Sequence, residues 1–200
     1  SITAVGRDLE VPAGVEVVDA SGQYVMPGIV DAHAHIAIDD INEATNPVTS
    51  EVGVGDILDP YDLDLYRALA GGVTVTHTMH GSANVIGGRN ETIKHRYGLA
   101  NPGALKMEDA PQTIKFALGE NPITLHGETH RVVPMSRMGV EFVIREALTK
   151  AQRYERKWEE YRSKRADGER VTPPEYSERL DILAGVLEGD IQVHCHSYRS

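Results

Sequence analysis

One cysteine, Cys195, is all the thiol chemistry that these 200 residues offer. It excludes an internal disulfide and favours a reducing, cytoplasmic compartment, because disulfides mark oxidising ones. Positive charge is also scarce: 20 Lys and Arg stand against 30 Asp and Glu, a net charge of −10. With no basic stripe to neutralise phosphates, nonspecific nucleic-acid binding is not expected. No apolar run approaches the ~18 residues of a membrane span, so no membrane partner is expected, and no signal peptide is visible. Gly-x-Ser-x-Gly elbows, Walker-type phosphate loops and dinucleotide fingerprints are missing too, so neither a serine nucleophile nor a bound nucleotide is indicated.

What the chain does have is histidine in pairs. In Met26-Pro27-Gly28-Ile29-Val30-Asp31-Ala32-His33-Ala34-His35-Ile36 the residues alternate as in a strand. Residues two apart share a face, so Asp31, His33 and His35 project together while Ala32, Ala34 and Ile36 line the apolar side. Two imidazoles about 6 to 7 Å apart on one strand can converge on one metal ion. A second His-x-His closes the chain at Ile191-Gln192-Val193-His194-Cys195-His196.

The run Pro-Gly-x-x-Asp-x-His-x-His resembles the first barrel strand of the amidohydrolase superfamily, metal-dependent hydrolases built on a (β/α)8 barrel, in its imidazolonepropionase and prolidase-like branch. The resemblance implies an α/β fold: a partial (β/α)8 TIM-type barrel, strands 1 to 5, preceded by the end of a small N-terminal β-sandwich. Residues 1–26 would be the β-rich lead-in and 27–200 the N-terminal part of the hydrolase barrel. A complete barrel needs roughly 250 residues, so more chain is expected, including the family's strand 6 His and strand 8 Asp.

Thr113-Ile114-Lys115-Phe116-Ala117-Leu118 alternates again, with Ile114, Phe116 and Leu118 toward the helices and Lys115 toward the barrel interior. A lysine there is costly unless paired or altered. A carboxylate such as Glu120 could pair with it, or the amine could snorkel to the barrel mouth. In two-metal members of the family a lysine at this place takes up CO2, and its carbamate bridges the ions. By resemblance, then, His33 and His35 bind one divalent ion, Lys115 bridges, and His194 binds the second, with His196 reaching substrate; the roles of His194 and His196 could be exchanged. Zinc is the expected metal, with Mn, Fe or Co as alternatives. The implied reaction is hydrolysis of an amide, cyclic amide or small peptide-like C–N bond. A mononuclear deaminase without the carbamate and a noncatalytic half-barrel are the other readings.

Between these motifs, Ile2 to Val25 reads as strand and turn, and residues 39–56 as a long loop over the barrel mouth. Asp59-Pro60 reads as a helix start running to about Ala70, and Val73-Thr74-Val75-Thr76 as strand 2. The stretch from His80 to Asn90 reads as a glycine-rich loop that tolerates positive φ, or as an ordinary surface turn; its Gly-Ser-Ala-Asn run resembles a loop that follows strand 2 near the active site in one branch of the same superfamily. A helix from Met138 to about Arg165 follows from the stripe Val143, Ala147, Ala151, Tyr154, Trp158. It exceeds the usual barrel helix and could extend toward another subunit, which makes a homo-oligomer an expectation. Thr172-Pro173-Pro174-Glu175 reads as the capping box of a last helix.

Overall fold

The computed structural model describes residues 2–199, and within it the chain is a mixed α/β protein whose single curled sheet has the strand order β1-β2-β3-β4-β5. The strands are β1 (Ile29–Ala34), β2 (Val73–Thr78), β3 (Ile86–Lys94), β4 (Gln112–Ala117) and β5 (Ile191–His196). β1 and β2 are parallel, as are β4 and β5. β3 runs antiparallel to both neighbours, which departs from the all-parallel barrel expected.

The departure falls in the stretch read as a loop. Only its first half, from His80 to Val85, is irregular; Ile86 onward is strand. Gly87 and Gly88 are not among the positive-φ glycines. Their lack of a side chain serves close approach instead. A Cβ on Gly87 would lie 2.6 Å from Nδ1 of His80, and one on Gly88 would lie 2.9 Å from its Cδ2. The His80 ring fills the space that these two glycines leave.

The helices form where caps and apolar stripes coincide. α1 (Leu63–Ala70) starts at Asp62 and not at Asp59: Asp62 accepts from the Asp64 N–H at 2.9 Å and from the Ala37 N–H at 2.6 Å. Asp59 instead closes the preceding turn on Tyr61. A single turn, α2 (Glu120–Pro122), leads into a π-helix over Ile123–Thr129, which the sequence pattern did not reveal. α3 (Arg137–Ala166) is capped by Ser136 and forms close to the expected limits. Its Glu141–Arg145 and Glu146–Lys150 pairs are in place. α4 (Glu178–Glu188) is capped by Ser177, later than the Thr172 box, because two consecutive prolines hold Thr172 and Pro173 out of the helical region. It stops at Gly189 with φ of 90°, a conformation open to glycine.

α3 and α4 cover the outer face of the sheet. Ile86, Ile114 and Phe116 meet Val140, Val143, Ala147, Ala151 and Leu183 in one core, as the outward alternation of the lysine strand requires. A second core gathers Ala37, Leu58, Leu65, Ile93 and Leu105 on the outside of β2 and β3. The 39–56 segment is long, as expected, and anchored: Arg179 of α4 donates to Glu51 at 2.8 Å, and Ser50 donates to the Arg179 carbonyl at 2.9 Å. The lead-in departs from expectation. Among the described residues 2–28 no strand forms, and Val5, Val17, Val18 and Tyr24 are exposed, since a strand needs a partner for its backbone groups. No helix among the described residues is long and apolar enough to cross a membrane.

Candidate active site

β1 delivers the first pair of imidazoles. The parallel β1–β2 ladder directs His33 and His35 to one end of the sheet, with ring centroids 5.2 Å apart. The strand ends at Ala34, so His35 lies just beyond it. The Met79 carbonyl lies 2.8 Å from Nδ1 of His35 and must accept a proton there. That fixes the tautomer and leaves Nε2 of His35 as a lone-pair donor, the arrangement in which imidazole binds metals. Asp31 does not join them as a free carboxylate; it accepts from the His33 N–H at 3.0 Å.

β4 delivers Lys115. Only 2% of this residue is exposed, and Ile114 and Phe116 on either side point into the outer core. Nζ lies 3.1 Å from Nε2 of His33 and 3.5 Å from Sδ of Met79. No carboxylate among the described residues contacts it, and it does not snorkel. Glu120, the partner weighed from sequence, is taken by Arg199 at 3.0 Å. Burial pushes the amine below its ordinary value. It also pushes His33 down, helped by the positive charge that Lys115 would carry.

β5 adds the second pair. In register, Lys115 faces His194 and Ala117 faces His196. Cys195 turns to the exposed outer side. His196 reaches a cleft of ≈ 640 Å³ that it lines with His33, His35, Gly81, Ser82, Ala83 and the π-helix, and its Nε2 is buried without a partner among the described residues. His194 is not part of the cleft wall, and its ring lies 4.8 Å from that of His77. Sequence reasoning missed His77, although it stands on the same face of β2 as Val73 and Val75. It missed the π-helix as well, whose Thr124, Leu125 and Thr129 wall the cleft.

Thus the structure brings His33, His35, Lys115, His194 and His196 to one end of the sheet. Among the described residues no three His, Cys, Asp or Glu side chains are grouped closely enough to hold a metal. The donors fit a divalent ion in kind, two imidazoles with one tautomer fixed and a further unpartnered ring nitrogen, and they are incomplete in number. The glycine-rich stretch contributes Gly81, Ser82 and Ala83 to the cleft wall. His80 behind it is fully engaged: its Nδ1 donates to the Gly81 carbonyl at 3.0 Å and its Nε2 accepts from the Glu43 N–H at 3.0 Å. A separate groove near Gln112, at the start of β4, contains Lys106 and Glu91 already paired at 3.3 Å.

No protein-family model matches the chain. The chain is 31% identical over 209 residues to amidohydrolase tasK of Hapsidospora irregularis, an alignment that covers 94% of this chain and 21% of that protein. It is 37% identical over 92 residues, 40% of its length, to a 5-methylthioadenosine/S-adenosylhomocysteine deaminase of Halobacterium salinarum, covering 21% of that enzyme. A crystal structure of an amidohydrolase from Thermotoga maritima superposes with a TM-score of 0.86 at 35% identity, across 98% of this chain and 51% of that one. The chain therefore spans about a fifth to a half of the length of these relatives. Shared sequence over nearly its whole extent, joined to a shared fold at substantial identity, makes this chain a member of the amidohydrolase superfamily.

Proposed function

We propose that the native protein is a metal-dependent hydrolase of C–N bonds in amides, cyclic amides or small peptide-like molecules, and that this chain supplies half of a binuclear centre within a TIM-type barrel. His33 and His35 would hold one divalent ion and His194 the other, with Zn²⁺ as the first choice and Lys115 bridging as a carbamate. When bound, such a pair of ions supplies electrophilic activation of a carbonyl and of water near neutral pH. The observation that carries the reading is Lys115, buried, without a carboxylate partner among the described residues and 3.1 Å from His33. An ammonium there is disfavoured by desolvation, and the free amine can add to CO2, releasing one proton and leaving an anionic carbamate.

His194 is preferred to His196 as ligand because it stands opposite Lys115 in the β4–β5 register. His196, on the cleft wall, would then orient substrate. Residues 1–26 are proposed as part of a composite β-sandwich, which would give their exposed valines a partner sheet, and residues 27–200 as the barrel's N-terminal part. Small-molecule substrate and a homo-oligomer are the proposed partners, with a cytoplasmic location. Likeness to the halobacterial deaminase supports a second reading, a mononuclear deaminase that uses the histidines without the carbamate.

Elemental analysis and bicarbonate dependence test the proposal. Replacing both His33 and His35 with Ala in the native protein should leave fewer than two ions per chain and no hydrolysis. After chelation, activity should recover faster on Zn²⁺ addition when bicarbonate is present. Two ions retained in the double variant would refute the ligand assignment. Recovery indifferent to bicarbonate, with one ion per chain, would favour the deaminase reading.

A further inference from the structure

A hydrogen-bonded chain crosses the sheet beneath the candidate metal ligands, and its direction can be read from one backbone donor. The His80 N–H donates to Oδ1 of Asn90 at 3.0 Å. The amide orientation of Asn90 is thereby fixed, so its Nδ2 donates to Oγ1 of Thr113 at 2.8 Å. Oγ1 of Thr113 lies 2.9 Å from Nε2 of His77, and Nδ1 of His77 lies 2.9 Å from Oγ1 of Thr92. Each hydroxyl has one proton to give.

Two proton arrangements are conceivable, and burial separates them. If Nε2 of His77 carried the proton, Thr113 would accept twice and its own proton, on a residue 3% exposed, would have no acceptor among the described residues. If Nδ1 carries it, Thr113 donates to Nε2, Nδ1 donates to Thr92, and the remaining proton belongs to Thr92, which is only half-buried and can use water. A buried unsatisfied donor costs more than an exposed one, so the second arrangement wins. The His77 ring, held at both nitrogens, lies with its centroid 4.8 Å from that of His194 at a 49° tilt. No hydrogen bond from another residue otherwise restrains the His194 ring among those described.

We infer that His77 is a positioning residue: the chain Asn90–Thr113–His77–Thr92 fixes its proton on Nδ1 and its ring plane, and that plane holds the His194 imidazole ready for a metal ion. The inference rests on the reading of His194 as a ligand. It assigns a purpose to the Asn90 and Thr113 side chains, which no direct metal role explains.

Ring ¹⁵N spectra of the metal-free native protein read the tautomer directly. His77 should show a protonated Nδ1 and a bare Nε2, Thr113→Ser should preserve that pattern, and Thr113→Val should abolish the preference. A protonated Nε2 in the parent would overturn the inference. Competition titration with Zn²⁺ reads the consequence. Thr113→Val and His77→Phe, the latter keeping an aromatic face without the relay, should weaken the more weakly held ion ~10–100-fold, as loss of a ligand-orienting partner does; Thr113→Ser should not. If Zn²⁺ affinity is the same in all three variants while His194→Ala loses an ion, the positioning role is wrong and the ligand assignment stands. If His194→Ala also keeps both ions, the ligand assignment itself has failed. Should His77→Phe not fold, the Thr113 pair still decides.

Discussion

The most informative single residue is Lys115, because its buried amine sits among histidines, in direct contact with His33 and Met79, and has no anionic partner among the described residues. Buried amines without an anionic partner destabilise a fold by roughly 1 to 3 kcal/mol, and nothing in the packing requires nitrogen at that point. Lys115→Met, similar in length and apolar, should therefore raise the melting temperature of the metal-free protein by several degrees, while abolishing the second ion and hydrolysis. A scan of chelated parent and variant checks this. A lower melting temperature would mean that the contact of Nζ with His33 outweighs the burial of the amine. His35 needs no such test of orientation, since the Met79 carbonyl already fixes its tautomer.

At the scale of elements, close approach and capping make separate predictions. Gly87→Ala would drive a methyl to within 2.6 Å of the His80 ring, whose nitrogens are both engaged and cannot yield cheaply. Overpacking of this kind costs ~1–3 kcal/mol, so the urea midpoint should fall. Gly168→Ala should cost less: nothing lies within 4 Å of its Cβ position and only its φ of 83° opposes the change. Equal losses in the two variants would show that the glycines matter for backbone freedom alone. Ser177→Ala should remove ~1 kcal/mol by taking away the side-chain cap on the Leu180 N–H, which keeps only its bond to the Ser177 carbonyl, whereas Thr172→Ala should be near neutral. Circular dichroism melts distinguish the two, and a larger loss at Thr172 would argue that α4 begins earlier.

For the whole molecule, the acid limb of stability belongs to its buried histidines. Burial pushes His80, His95 and His126 below their ordinary value. Below pH ~6.5 the unfolded chain, with these rings hydrated, binds more protons than the folded one. Stability is thus present in full above about pH 6.5 and is lost as pH falls through that value toward the folded-state ones. Urea midpoints between pH 7.5 and 5 should decline accordingly. His126→Leu, which removes a buried ring 1% exposed, should flatten the decline. An unchanged slope would place the acid sensitivity elsewhere. Sheet order has a consequence at the same scale. β1 and β5 each pair on one side only among the described residues, and open edges promote self-association.

By itself the sequence determined the chemistry-bearing strands and the long helix. His33 and His35 were legible because period-two alternation and a specific spacing coincide. Lys115 was legible because its neighbours Ile114 and Phe116 fix which face it takes, and α3 because its apolar stripe repeats over many turns. What only tertiary structure decided has one physical root, namely partners distant in sequence. The direction of β3 depends on which strand edges it meets, and the two glycines that suggested a turn instead make room for His80. The lead-in reads as strand and turn, yet a strand without a neighbour for its backbone groups forms no ladder. Helix starts shifted to Asp62 and Ser177 because capping requires a side chain aimed at a free N–H, a geometry that composition does not encode. His77 became visible only when β2, β3 and β4 set Thr92, Thr113 and His194 around it, since a strand pattern gives the face of a histidine and the assembled sheet gives its neighbours.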